Sequence, residues 1–217
     1  MSPSKTFLSL FALLSALLLA ASAGTARAGD CVDAFRAALQ GRSLAEKDTL
    51  VRNLSAKAIR CLYEHASGEA IEPSFYLDEA HRAAGAVEAF VGKNSLPIAS
   101  TFEKHFFSPV GSTVVYGYNE AAINHLLCSP GFFQIEPNGA DRSRILFDYA
   151  KDLETLLKGI DLRRLRGAKV EAVKNNDGNL IFGGLTDVMK KIDADVAVGV
   201  ALRKGKAQSY FVVARKP

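Results

Sequence analysis

The amino-acid sequence predicts an α+β fold, in which an N-terminal helical layer packs on a mostly antiparallel sheet that ends in a C-terminal hairpin. Apolar residues in the first half of the chain recur three and four positions apart, as they do on one face of a helix. Segments of the second half are rich in β-branched and aromatic residues and are separated by turn-forming residues, which is typical of strands.

Residues 1–28 have the composition of a cleavable secretory signal. Lys5 supplies a positive charge, the stretch from Thr6 to Thr25 carries none, and Ala26-Arg27-Ala28 places small residues at the two positions that signal peptidase recognises. An uncleaved anchor is the alternative, but serines and a glycine dilute the far end of the apolar stretch. We therefore predict export to the periplasm or the extracellular space, with cleavage near Ala28 and no transmembrane segment in the mature chain.

The predicted mature chain, residues 29–217, is long enough to bury a sizeable core, and we expect one α+β domain. Its helical part would cover about 29–110 and its mixed sheet part about 111–217. Loss of the two basic residues of the signal lowers the formal charge from +4 to +2. This near balance argues against nucleic-acid binding, which usually shows as a strongly basic domain. The oligomeric state is left open.

Three cysteines, Cys31, Cys61 and Cys128, lie in the mature chain. In an oxidising compartment they predict one disulfide and one leftover thiol, and Cys31 with Cys61 is the first pairing to consider. In a straight helix pair that turns at Gly41, these two residues would lie about 15 and 30 Å from the turn. The bond therefore needs an extended segment before the first helix or a bent pair. Three buried thiols are the alternative. A lipid-modified Cys31 is disfavoured because Asp30 precedes it.

Four helices are predicted in the first half of the chain. The first follows the apolar stripe of residues 32–39, and the second begins at the Ser43–Glu46 capping box and ends near residue 67. A third helix is predicted from Pro73 through Phe90, and a fourth from a second capping box at Ser100 through Phe107.

The second half is predicted to mix strands and helices. The predicted strands are 113–118, 132–136, a hairpin of 169–174 with 179–182, and a final hairpin of 195–203 with 207–215. The predicted helices are 119–127, 141–160 and 187–191.

The strand predicted over 195–203 is apolar on both faces. One face carries large side chains and the other carries only Ala197, Gly199 and Ala201, as in a strand buried on both sides. The small face indicates close helix packing, or space left for a ligand. Helix-on-sheet packing is the simpler interpretation.

The histidines do not predict a metal site or a cofactor. His65, His81, His105 and His125 form no His-x-x-x-His pair, and the chain has no Cys-x-x-Cys. Asp78 and His81 would share one face of a helix, but nothing in the spacing brings further ligands to them.

Nucleophilic catalysis has one candidate, formed by His125, Cys128 and Ser129. On a continuing helix the histidine would lie near the cysteine, and an imidazole beside a thiol is the arrangement that activates it. Pro130-Gly131 breaks a helix at this point, so a buried or disulfide-bonded Cys128 is the alternative.

The densest positive charge is the cluster Arg163, Arg164 and Arg166. It could contact an acidic envelope partner or lipid headgroups. A solvated helix end is the alternative, since most charge runs face water.

Together these features predict an exported, non-enzymatic protein that binds a small apolar or amphipathic ligand, or an envelope partner, between helices and sheet. The candidate ligand contacts are aromatic residues near the predicted sheet: Phe107, Tyr116, Tyr118, Phe132, Phe133 and Phe182. One alternative is a small envelope hydrolase or transferase that uses His125 with Cys128 or Ser129. The other is a structural or interaction protein of the envelope.

Overall fold

Eight antiparallel strands form a closed barrel in the computed structural model, which describes residues 29–66, 68–97, 100–120 and 130–217. The strands follow one another in sequence order, and β8 pairs with β1 to close the barrel. They are β1 (Glu88–Asn94), β2 (Thr101–Phe107), β3 (Tyr116–Glu120), β4 (Phe132–Pro137), β5 (Ile145–Asp148), β6 (Leu185–Lys191), β7 (Val196–Arg203) and β8 (Lys206–Arg215).

The α-helices of the described residues are short. Three of them precede the barrel: α1 (Asp30–Leu39), α2 (Leu44–Arg52) and α3 (Ala56–His65). Two others are α4 (Glu79–Ala83), just before β1, and α5 (Leu153–Leu156), just after β5. Within the described ranges, no helix combines the length and the apolar character needed to cross a membrane.

The predicted α+β layering is wrong, because eight strands that begin at Glu88 close into a barrel. Residues 88–90, 101–107, 145–148 and 187–191 belong to strands, where helices were predicted. These segments are four to seven residues long and mix charged with apolar residues, so their periodicity does not distinguish a strand from a helix. The residues of β2 match a capping box in sequence, but in the barrel they alternate between the two faces of the sheet. Phe102, Lys104 and Phe106 face the interior.

Other elements were predicted at the right place. Strand β4 and the C-terminal hairpin of β7 with β8 lie where the sequence placed them. The predicted hairpin of 169–174 with 179–182 contains no strand. Most of the predicted helix 119–127, and the signal peptide 1–28, lie outside the described residues.

The interior of the barrel is filled with side chains, many of them aromatic. The small face of β7 points inward, where Gly199 lies against Met189 and the ring of Phe211. Gly92 and Gly117 likewise leave room for the rings of Phe102 and Phe133, respectively. A Cβ at either glycine would lie within 2.4 Å of a ring carbon. Eight strands enclose just enough space for side chains to fill, and these glycines adapt that space to aromatic rings.

Both ends of the barrel are closed. Tyr76, from the segment before α4, packs against Phe90, Phe106 and Phe147 at the end that carries the β6–β7 turn. Phe182 stacks on Tyr149 at the other end, which carries the β7–β8 turn. We call these the β6–β7 end and the β7–β8 end.

The N-terminal helices cover the outer face of β7, β8 and β1. Their apolar stripes pack on strand residues that point outward, including Val91, Val198 and Val212. The sulfur atoms of Cys31 and Cys61 are bonded at 2.11 Å, with a Cα–Cα distance of 6.5 Å. The predicted helix 43–67 is in fact two helices, and Ser55 caps the second. This break turns the chain back, so that α3 lies beside α1 and the two cysteines meet.

A long connection between β5 and β6 covers a second outer face. Leu153, Leu157, Leu162 and Leu165 pack there on side chains of β2, β3 and β4 that point outward. The connection reaches the β6–β7 end at Arg166, which is hydrogen-bonded to Gly85 through its backbone, and it then returns to β6.

Candidate functional site

A cleft of about 400 Å³ lies at the β6–β7 end, between α4, the start of β1 and the β5–β6 connection. This volume is within the range of small-molecule sites. The cleft is lined by Ala80, His81, Ala84, Ala86, Val87, Glu88, Arg166 and Gly167.

Backbone hydrogen bonds hold the two walls of the cleft together. The backbone N–H of Arg166 donates to the carbonyl of Gly85 at 2.9 Å, and the N–H of Val87 donates to the carbonyl of Arg166 at 2.8 Å. Gly85 and Gly167 have φ of +58° and +91°, which side chains rarely tolerate, so glycine permits the turn in each wall. The side chains of the cleft therefore project from a fixed frame.

His81 lies between two carboxylates. Its Nδ1 is 2.9 Å from Asp78 Oδ1, and its Nε2 is 2.9 Å from Glu88 Oε1. The pKa of Asp78 is lowered by the hydrogen bond from the backbone N–H of His81 and by the bond to its ring. The second oxygen of Glu88 pairs with Arg215 at 2.9 Å.

Arg166 differs from the other charged residues of the cleft. Its side chain is exposed, and no carboxylate in the part of the chain that the structure describes lies within ion-pair distance of its guanidinium. Arg163 and Arg164, the other arginines of the predicted partner-binding cluster, both lie near Asp161 and outside the cleft. Arg166 is therefore the residue of the cluster that can pair with a ligand in the cleft.

A second polar group lies inside the barrel around Lys104. Its Nζ donates to Asn119 Oδ1 at 2.8 Å, to the hydroxyl of Tyr149 at 2.7 Å and to Asp187 Oδ2 at 2.9 Å. Aromatic rings surround this ammonium group, with that of Phe133 closest at 4.8 Å. Burial lowers the pKa of Lys104, and the charge of Asp187 opposes only part of that effect. All three N–H donors are used, so we interpret this network as structural.

A third group lies on the outer face of β2 and β3. His105 Nε2 is 3.0 Å from Glu103 Oε2, and His105 Nδ1 is 3.3 Å from the hydroxyl of Tyr118. That hydroxyl also accepts the backbone N–H of Lys169 at 3.0 Å. Burial lowers the pKa of His105. The hydrogen bond to Glu103 raises it and offsets only part of that effect. Burial alone would raise the pKa of Glu103, but hydrogen bonds from Lys216 and His105 lower it to about 2.

No protein-family model matches this chain, and no curated protein or solved structure proves similar to it. The barrel is compatible with a binding protein.

The aromatic residues predicted to contact a ligand are buried in two separate clusters. Phe133 and Phe182 lie inside the barrel, and Phe107, Tyr116, Tyr118 and Phe132 lie under the β5–β6 connection. None of the six lines the cleft. Their contact with a ligand stays a prediction, as does the use of His125, Cys128 and Ser129, which lie outside the described residues.

Sequence reasoning found part of the cleft. The spacing of Asp78 and His81 predicted a shared face, and the arginine cluster included Arg166. The chain gives no signal that Glu88 and Arg166 meet these residues, since 78 positions separate the two. Asp78 and Glu88 lie on opposite nitrogens of His81 and do not converge, and the described part of the chain offers no group of three His, Cys, Asp or Glu side chains for a metal ion.

Proposed function

We propose that this is an exported binding protein whose cleft at His81 and Arg166 holds a small amphipathic anion. The observation that carries the proposal is Arg166, which lines the cleft and whose guanidinium has no carboxylate partner among the described residues; four of the other seven lining residues are alanine or valine. A planar guanidinium binds carboxylate, sulfonate or phosphate oxygens with two parallel hydrogen bonds.

The lining supports an amphipathic ligand. Ala80, Ala84, Ala86 and Val87 offer small apolar surfaces on which a hydrocarbon group can lie. The carboxylate of Glu88 is engaged by both His81 and Arg215, which reduces its repulsion of an anion. We therefore place the charged end of the ligand at Arg166 and its apolar part along the alanines.

The contacts of His81 favour binding over catalysis. Both ring nitrogens are within hydrogen-bond distance of carboxylates, so neither is free to take a proton from a substrate. A rigid, filled barrel that presents its cleft at one end is suited to holding a ligand without moving.

Export is part of the proposal. The disulfide and the absence of a membrane-spanning helix among the described residues fit an exported protein. Helix α1 begins at Asp30, so cleavage after Ala28 would leave it intact. Intact-mass measurement of protein from the periplasm or the medium should give a chain that starts at Gly29 and lacks two hydrogens. A mass that includes residues 1–28 would contradict cleavage.

Binding can be tested with two dyes that differ in charge. Anilinonaphthalene sulfonate is an amphipathic anion, and phenylnaphthylamine is its neutral analogue. We expect Arg166→Gln to weaken binding of the sulfonate about ten-fold or more, because a charge-assisted contact is lost, and to leave binding of the neutral dye unchanged. Arg163→Gln is the matched control, since Arg163 belongs to the same cluster but lies outside the cleft.

An equal response of both variants, or no sulfonate binding by the unaltered protein, would contradict the proposal. Ala84→Phe offers an independent check, because its ring would fill the cleft and should abolish binding of both dyes. Native mass spectrometry of protein purified from its own host would then identify the ligand as added mass that disappears on denaturation.

A further inference from the structure

We infer that the β7–β8 end of the barrel docks on the surface of a bilayer that contains anionic phospholipid. The docking patch consists of Leu180 and Ile181 from the β5–β6 connection, together with Arg203, Lys204 and Lys206 from the β7–β8 hairpin. It lies at the opposite end of the barrel from the His81 cleft and does not depend on what that cleft binds.

The two apolar residues of the patch are held outward. Leu180 is 89% exposed and Ile181 is 42% exposed. Arg203 Nη2 donates to their two carbonyls, at 3.0 Å and 2.7 Å, and fixes the loop against the hairpin. The next residue, Phe182, is buried on Tyr149 and closes the barrel. Because the interior behind Phe182 is full, Leu180 and Ile181 cannot be buried there without displacing the core.

Lysines flank this apolar pair. Lys204 and Gly205 form the turn between β7 and β8, with φ of 51° and 75°, and Lys206 is the first residue of β8. The pairing of β8 with β1 begins only at Phe211, so the hairpin tip extends beyond the neighbouring strand. No Asp or Glu occurs in residues 178–186 or 196–217. Asp177 precedes this acid-free stretch of the loop.

The composition of the patch fits a lipid surface. Each lysine near an anionic leaflet strengthens binding about five-fold, and aliphatic side chains that reach the acyl boundary add a contribution that salt does not screen. The long stem of a lysine lets its charge stay at the headgroups while an adjacent leucine goes deeper. Leu96 in the β1–β2 connection, which is 45% exposed, lies at the same end of the barrel.

Single tryptophan reporters test the inference directly, because the chain contains no tryptophan. Exported protein that carries Leu180→Trp is mixed with vesicles of phosphatidylcholine that contain about 30% phosphatidylglycerol. The phosphatidylglycerol makes the vesicle surface anionic. The emission should shift to the blue as the indole enters the interface. Val110→Trp is the matched control, since Val110 is 79% exposed in the β2–β3 connection at the other end. Its emission should not change.

Flotation with the same vesicles measures affinity. Replacing both turn lysines, as Lys204→Asn with Lys206→Gln, should weaken binding about 30-fold, whereas Arg163→Gln with Arg164→Gln should not. Leu180→Ser should weaken the binding that remains in high salt. No shift of the Leu180→Trp emission, an equal shift from Val110→Trp, or equal loss in both pairs of charge variants would overturn the inference. All these substitutions are in exposed segments, and circular dichroism checks that each variant is folded.

Discussion

The inner and outer faces of the barrel each bury one lysine, and the pKa values of these two lysines shift in opposite directions. Lys104 lies inside, 2% exposed, among aromatic rings and opposite Asp187, whose side chain is 4% exposed. Lys47, from α2, is 7% exposed and lies on the outer side, 2.7 Å from each of Asp193 and Asp195. Burial lowers the pKa of Lys104, whereas at Lys47 two carboxylates outweigh burial and raise the pKa.

The difference shows how the two faces are stabilised. Inside, the charges of Lys104 and Asp187 are desolvated, so both groups depend on protein partners. Outside, the carboxylates that hold Lys47 are about a quarter exposed, and water can replace a lost partner. The inner face therefore has little tolerance for the loss of one polar group, and the outer helical layer has more.

The largest expected effect comes from breaking the inner pair. Lys104→Met should cost about 3–5 kcal/mol of unfolding free energy, because it leaves Asp187 buried without its cation. Lys47→Met, the same substitution on the outer face, should cost about 1 kcal/mol, since its partners remain solvated. Urea unfolding of both variants measures the difference.

A double variant sharpens this test. Lys104→Met with Asp187→Asn should cost less than the sum of the two single substitutions, because no unpaired charge is then buried. Equal costs for Lys104→Met and Lys47→Met, or simple additivity inside the barrel, would show that the two faces do not differ as we describe.

The disulfide should stabilise the outer layer by a somewhat smaller amount. Replacing Cys31 and Cys61 with serine removes a cross-link between positions 30 residues apart, which is worth about 3–4 kcal/mol in the chain-entropy treatment. Hydrogen exchange should accelerate in α1 and α3 more than in β5 and β6, since only the helices are tied by this bond. Uniform acceleration through the barrel would mean that the two faces unfold as one unit.

The smallest expected effect is a dependence on pH at His105. Its pKa in the folded protein lies below its ordinary value, so the unfolded chain binds the proton more readily. Stability should therefore fall as the pH drops below about 6.5, the pKa of an unperturbed histidine. The pKa of about 2 for Glu103 adds a second loss as the pH falls below its ordinary 4.5.

Urea unfolding between pH 7 and pH 5 checks the histidine contribution. His105→Gln should flatten this dependence, and His65→Gln, at the end of α3, is the control. An unchanged slope in His105→Gln would assign the acid sensitivity to other groups.

Local sequence patterns predicted the elements that are specified by residues close together in the chain. The stripe of Val32, Phe35 and Leu39 gave the first helix, and the capping box at Ser43 forms as predicted. The C-terminal hairpin was predicted because both of its strands are long and have a turn of Lys204-Gly205 between them. Strand β2 and parts of β1 and β6 were predicted as helices because each is only seven residues long and mixes charged with apolar residues, a pattern that periodicity alone does not resolve.

Neighbouring residues alone were enough to predict the first helix, the capping box at Ser43 and the last hairpin, because these depend on caps, turns and composition over a short stretch of chain, while the signal peptide at 1–28 stays a prediction. The closure of the sheet, the position of Gly199 against the ring of Phe211 inside the barrel, and the meeting of His81, Glu88 and Arg166 at one cleft are visible only in the folded chain. Closure depends on the pairing of β1 with β8, strands more than a hundred residues apart. Contacts at that separation are selected by packing of the whole chain and leave no local pattern.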